Sequence, residues 1–115
     1  MGNKFDSIAV GDQLELPAKR GGGFYSLPDN RDPMRPVQAV IVTHRWTDPY
    51  EQKEYVCLCR ILMGGKISQP YAKHTIKGLA QAGWIPARRD WLAYAAALEA
   101  GEVVSISSRV KGGGG

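Results

Sequence analysis

The sequence contains few of the residues that link a chain covalently or carry catalysis: two cysteines and two histidines in 115 residues. Cys57 and Cys59 stand one residue apart in an apolar run. If that run is a strand, both thiols point to the same face, and an extended backbone holds them badly for a mutual disulfide. We therefore expect both to be small, buried, reduced side chains, as in a cytoplasmic protein.

Long apolar runs are also missing from the sequence. No stretch approaches the roughly 18 consecutive apolar residues of a membrane helix. The first ten residues contain charge and no apolar run of the length typical of a secretory signal. The sequence therefore predicts a cytoplasmic protein with no membrane partner.

Recognisable catalytic motifs are absent as well. There is no Gly-x-Ser-x-Gly, no Gly-x-x-x-x-Gly-Lys and no His-Glu-x-x-His. Asp48, His44 and Cys57 or Cys59 could form a nucleophilic set across a hairpin, but thiols in an apolar strand are usually inert. The spacing of His44, His74 and the cysteines does not suggest zinc ligands. We expect no catalytic residue, no metal and no cofactor, and an enzyme is the least favoured of the alternatives.

The overall composition is that of one folded unit. Apolar residues make up 43% of the chain and charged residues 23%, which is typical of globular proteins and not of disordered ones. A chain of this length fits one hydrophobic core without disulfides. We expect a single globular domain over residues 1–111, followed by a disordered glycine tail at 112–115.

Alternating apolar residues and turn signals indicate a β-rich fold. A Gly11-Asp12 turn should precede the first strand, and Asp48-Pro49 should join the two longest strands. A short fourth strand should stop at Pro70, which cannot donate to a strand ladder. The expected strands are 13–16, 37–46, 53–63, 66–69 and a closing strand at 102–110.

Two short helices are predicted in the second half of the chain. Thr75 is a suitable N-cap for a helix that runs through Ala82. Asp90 should cap a second helix, which Gly101 ends. The apolar stripe of this helix recurs at helical spacing and is expected in the core: Trp91, Tyr94, Ala95 and Leu98.

A 20-residue segment, 17–36, has four prolines, three consecutive glycines and no sustained apolar period. Such a length without regular structure is unusual inside a compact domain. The segment contains Lys19 and Arg20 beside Phe24 and Tyr25. One interpretation is a loop that helps to bind a nucleic-acid strand or a partner groove. The other is a mobile loop whose aromatic side chains fold back onto the core.

The order of these features resembles an SH3-like small β-barrel. The resemblance rests on Val10-Gly11-Asp12-x-Leu14 entering the first strand, the long hairpin that follows, and Gly64-Gly65 before the next strand. It covers residues 8–70 and implies a fold, not an activity. The fold class is therefore predicted as α+β and β-rich: a small antiparallel, SH3-like barrel or curled sheet of about five strands, with two short C-terminal helices.

Acidic residues are missing from one long window, 60–89, although the whole chain has a net charge of +4. A cationic face attracts phosphates, and aromatic side chains among the cations can stack on unpaired bases. The sequence therefore predicts a non-enzymatic binding module that contacts nucleic acid or another polyanion through a basic face. The predicted contacts are Lys66, Lys73, Lys77, Arg88 and Arg89, with Tyr71 or Trp84 stacking and Lys19 and Arg20 assisting.

Two other interpretations of the same features stay open. Helical lysines often form only a solvated face, and Trp84 could lie in the core. A small accessory protein of the phage or mobile-element type, which binds a protein partner or itself, would also fit a chain of this size.

Overall fold

The computed structural model describes residues 4–17 and 26–101. The predicted closing strand at 102–110, the glycine tail, and Lys19 and Arg20 lie outside these ranges. The described residues form a β-rich α+β fold, which confirms that part of the prediction. Its elements are β1 (Gln13–Pro17), β2 (Leu27–Asp29), β3 (Asp32–Thr47), β4 (Glu54–Leu62), β5 (Lys66–Thr75), α1 (Ile76–Gln81), β6 (Ile85–Pro86) and α2 (Trp91–Ala100).

The six strands form one antiparallel sheet in the order β5-β4-β3-β1-β6, and β2 pairs with the start of β3. Strands β5 and β6 are the two edges of this order. Within the described ranges the sheet is therefore open, and its closure into an SH3-like barrel stays a prediction.

Each face of the sheet has its own apolar core. On the first face, β1, β3 and β4 pack against α1, the loop before β6 and the N-terminal segment. The buried residues of this core are Phe5, Ile8, Leu14, Val40, Val42, Val56, Leu58, Ile76, Leu79 and Trp84. Cover on both sides explains why β4 is apolar on both faces.

The second face is covered by α2 and β2. Side chains from β3 and β4 meet the apolar side of α2 there, which confirms the predicted core position of its stripe. The buried residues are Leu27, Val37, Ala39, Ile61, Trp91, Tyr94 and Ala95, with Leu98 packed against them.

Both helix starts follow the capping residues that the sequence indicates. The Thr75 hydroxyl accepts a hydrogen bond from the Gly78 N–H at 3.0 Å, and the Asp90 carboxylate accepts one from the Ala93 N–H at 3.2 Å. Gly101 ends α2 with φ 79°, a left-handed conformation that glycine adopts without steric cost.

Strand structure extends further than the sequence predicted in two places. Residues 27–29 and 32–36 were expected in a loop, yet they form β2 and the start of β3, with Pro28 opposite Pro36. This pair needs no N–H donor from either proline. Strand β5 also continues past Pro70 to Thr75, because β5 is an edge strand with register shifts near Pro70, and prolines are tolerated at edges and bulges.

An ionic network with two buried carboxylates joins the sheet to α2, and its Arg88 side chain is 33% exposed. Glu15 on β1 is 0% exposed and Asp29 on β2 is 2% exposed. Arg88 donates to both carboxylates, by its Nε to Glu15 and by its Nη2 to Asp29 at 2.8 Å. Glu15 also accepts hydrogen bonds from the Arg88 N–H at 2.9 Å and the Trp91 indole at 2.7 Å. The network thus joins β1, β2 and the start of α2.

Removing Arg88 should strongly destabilise the fold, because buried Glu15 would lose its counter-charge and Asp29 would lose Arg88 while keeping Arg31 at 3.7 Å. We expect Arg88→Ala to lower the free energy of unfolding by about 3–5 kcal/mol, measured by urea denaturation. The matched control is Arg35→Ala, whose guanidinium forms an exposed pair with Asp32 and should change stability by less than about 1 kcal/mol. Equal small losses for the two variants would contradict a structural role for the network.

The network should also make stability depend on pH. Burial by itself would raise the pKa of Asp29, but the Arg31 N–H and the Arg88 guanidinium together hold that pKa below 3.8. A carboxyl group with a lowered native pKa stabilises the fold above its unfolded pKa, and this contribution is lost as the pH falls through the native pKa. We expect Asp29→Asn to be less stable than the wild type at neutral pH, and the difference to shrink below about pH 4. A difference that stays constant across an acid titration of unfolding midpoints would contradict this.

Candidate functional site

Three of the predicted cations follow one edge of the molecule. Lys66 begins β5, Lys73 lies near its end and Lys77 is on α1, and all three are exposed. In the part of the chain that the structure describes, no ion pair involves any of them. Between the two strand lysines lies Tyr71, which is 42% exposed. The guanidinium of Arg60 stacks over its ring at 4.0 Å from the centroid.

The charge around this edge is mixed, although its own stretch of sequence lacks acids. Residues 4–17 and 26–101 carry eleven Lys and Arg against ten Asp and Glu, so the described part as a whole is close to neutral. None of these acids falls between positions 60 and 89 in the sequence. Four come near in space: Glu99 lies beside Gly64 at the turn before β5, Asp48 interacts electrostatically with Lys73, and Asp6 and Glu54 line a cavity with Lys77. The edge lysines therefore have acids as well as cations nearby.

Lys77 lies close to cations and acids that are distant in sequence. It lines a cavity of about 340 Å³ together with Lys53, Asp6 and Glu54. The Glu54 carboxylate is paired with the Arg45 guanidinium at 2.6 Å. Lys53 and Asp6 therefore place one further charge of each sign beside Lys77.

The two predicted arginines do not join this edge. Arg88 is held by Glu15 and Asp29 in the buried network, so its charge is neutralised. Arg89 donates to the Asn30 side chain, and its guanidinium lies 5.3 Å from the Trp91 ring centroid and 5.1 Å from that of Tyr94. Arg88 and Arg89 therefore both hold the start of α2 against the sheet.

Trp84, proposed from the sequence as one of two stacking side chains, belongs to the core. It is 3% exposed and packs on the side of the sheet that α1 covers. His74 meets its ring edge-on at 6.5 Å between centroids. Burial lowers the pKa of His74, so its imidazole is neutral at physiological pH and adds no charge to the edge. Of the two proposed stacking residues, only Tyr71 is accessible.

A second group of exposed side chains was not identified from the sequence. Trp46 on β3 and Tyr55 on β4 are register partners, and their rings stack with centroids 5.7 Å apart and an interplanar angle of 21°. The Lys73 ammonium lies over Tyr55 at 4.8 Å from the ring centroid. Trp46 is 39% exposed. We call Trp46, Tyr55 and Lys73 the aromatic patch.

The β3–β4 turn supports this patch. The Asp48 carboxylate accepts hydrogen bonds from the N–H groups of Tyr50 at 2.8 Å and Glu51 at 3.0 Å, and these bonds lower the pKa of Asp48. The Tyr55 hydroxyl donates to the Glu51 carboxylate, which raises the pKa of Tyr55. The turn therefore holds the Tyr55 side chain by its hydroxyl group. Tyr50, in the same turn, is 94% exposed.

Thiol and imidazole groups lie beside the patch, and His44 and Cys57 line one cavity with Trp46. His44 lies opposite Cys57 at a β-bulge, and its Nδ1 is 3.1 Å from the Thr43 hydroxyl. Asp48, the acid that could have oriented His44, is engaged by its own turn. Both cysteines are free thiols. Among the described residues, no three His, Cys, Asp or Glu side chains are grouped as a metal site.

Comparisons of the chain with protein-family models, curated proteins and solved structures found no match. Among the described residues, no helix is both long and apolar enough to span a membrane. The function must therefore be argued from the surface itself, which combines unpaired lysines with exposed aromatic rings.

Proposed function

We propose that the protein is a non-enzymatic, cytoplasmic module that binds nucleic acid along the β5 edge. The observation that carries the proposal is the row of exposed lysines Lys66, Lys73 and Lys77, none of them in an ion pair in the described chain, with the accessible ring of Tyr71 among them. Ammonium groups attract phosphates and release their condensed counterions, while aromatic rings accept bases of any sequence. Exposed cations beside exposed rings are what such a ligand requires.

The edge strand itself supports a second candidate, a protein partner or a second copy of this chain. In the described part of the chain, β5 has no neighbour on its outer side. Ile67, 47% exposed, and Tyr71 would contribute apolar contacts to an added strand. However, Pro70 and the lysines are the residues that natural edge strands use to prevent such pairing. We therefore place nucleic acid first.

Binding should be weakened by salt, and the salt dependence should report the lysines. For a single-stranded oligonucleotide, each phosphate contact contributes about −0.7 to the slope of log K against log salt concentration. We expect Lys66→Gln combined with Lys73→Gln to reduce the magnitude of that slope by about 1.4. Fluorescence anisotropy of a labelled oligonucleotide across a salt series measures it.

The control removes the same charge elsewhere. Lys4 lines a cavity with β1 and β6 residues, on the side away from β5, and Arg35 forms an exposed pair with Asp32. The double variant Lys4→Gln, Arg35→Gln should leave the slope close to that of the wild type. An identical loss in both double variants would indicate a general effect of net charge. No binding by the wild type at low salt would overturn the proposal and favour the protein-partner candidate.

A further inference from the structure

The proposed function does not specify whether the nucleic acid is single-stranded or double-stranded. The aromatic patch bears on this choice. Trp46 and Tyr55 lie on the face of the sheet that α2 covers elsewhere. The helix packs near Ile41, Ile61 and the turn at Gly65, which leaves the hairpin end of the face open. Trp46 stacks on Tyr55 through one face of its indole and is 39% exposed, so part of a large apolar ring stays available for contact.

The register of the sheet brings cation and rings together. Tyr55 lies opposite Trp46 on β3 and opposite Thr75 on β5. Lys73 is two residues before Thr75, hence on the same side of β5. The result is a row across three strands in the order ammonium, phenol, indole. The Lys73 ammonium lies 4.8 Å from the Tyr55 ring centroid, and the ring centroids of Tyr55 and Trp46 are 5.7 Å apart.

We propose that this row is a stacking platform for single-stranded nucleic acid, in which an unpaired base lies on the Trp46 indole while Lys73 contacts a phosphate. The inference rests on the proposed function and specifies its ligand. Bases within a duplex are stacked on their neighbours, so their faces are not available to an aromatic side chain. Unpaired bases are available, and they stack with little regard to sequence.

The structure supplies a direct spectroscopic test. The chain has three tryptophans, and two of them, Trp84 at 3% and Trp91 at 0% exposure, are buried in the two cores. A base on the platform should therefore quench Trp46 emission alone. A single-stranded oligodeoxynucleotide should quench the wild type, whereas in Trp46→Phe the emission of the remaining tryptophans should not respond. Binding without quenching of the wild type would overturn the platform.

An abasic oligonucleotide separates stacking from charge, because it keeps the phosphates and lacks the bases. Wild-type affinity should fall about fivefold to a hundredfold when the bases are removed, the range expected for one stacked base. Trp46→Ala should bind the normal oligonucleotide more weakly and should lose most of the preference for it over the abasic one, because Tyr71 can still contact a base. Trp46→Phe should restore part of the affinity that Trp46→Ala loses. Because Phe keeps an aromatic ring beside Tyr55, this variant also controls for loss of the cross-strand contact.

The outcomes distinguish this inference from the function on which it rests. If normal and abasic oligonucleotides bind the wild type equally, with the salt dependence described above, the edge binds polyanions and the platform is overturned. Equal affinity for a duplex of the same sequence would overturn it too. If neither oligonucleotide binds, the proposed function itself fails. Discrimination by the wild type that is mostly lost in Trp46→Ala supports both.

Discussion

The pairing of Arg88 with two buried carboxylates is the constraint on which the rest of the structure depends. Glu15 is fully enclosed and would be costly to bury without a counter-charge, because removal of a carboxylate from water is penalised by several kcal/mol. Arg88 supplies that charge and holds Asp29 as well. Three residues after Arg88, the Trp91 indole also donates to Glu15. The Glu15 carboxylate therefore fixes where α2 begins and which part of the sheet the helix covers.

What α2 leaves uncovered is the part that we propose binds a ligand. The helix closes the second core over β2, β3 and β4, and α1 closes the first core on the other side. The hairpin end of β3 and β4 and the outer edge of β5 stay accessible, where Trp46, Tyr71 and the strand lysines lie. A rigid, two-sided core behind an open edge holds these side chains in place, so a ligand would not need to order the backbone on binding.

Local sequence signals predicted local structure well and tertiary placement poorly. Thr75, Asp90 and Gly101 marked the helix ends because capping acts over a few residues. The prolines at 28, 36 and 70 suggested breaks, yet strands pass through them at edges and bulges, which sequence spacing does not reveal. Nothing in the sequence distinguished Arg88 from Lys66 and Lys73 as a candidate phosphate contact. Only the fold shows that Arg88 is neutralised by carboxylates from β1 and β2, which lie about 60 or more residues away in the sequence. The Trp46–Tyr55 pair was missed, although the Asp48-Pro49 turn and an assumed hairpin register could have suggested it.

The central claim is that the β5 edge, with Lys66, Tyr71 and Lys73, and the neighbouring Trp46 meet a nucleic-acid strand. Its most direct test is a titration of the labelled protein with a single-stranded oligonucleotide, followed by amide and indole chemical shifts. We predict shift changes along β5 and at the Trp46 indole, while the Trp84 and Trp91 indoles stay unchanged. Shift changes confined to residues around Lys4, Arg35 or the β6 edge, with β5 and Trp46 unaffected, would contradict the account.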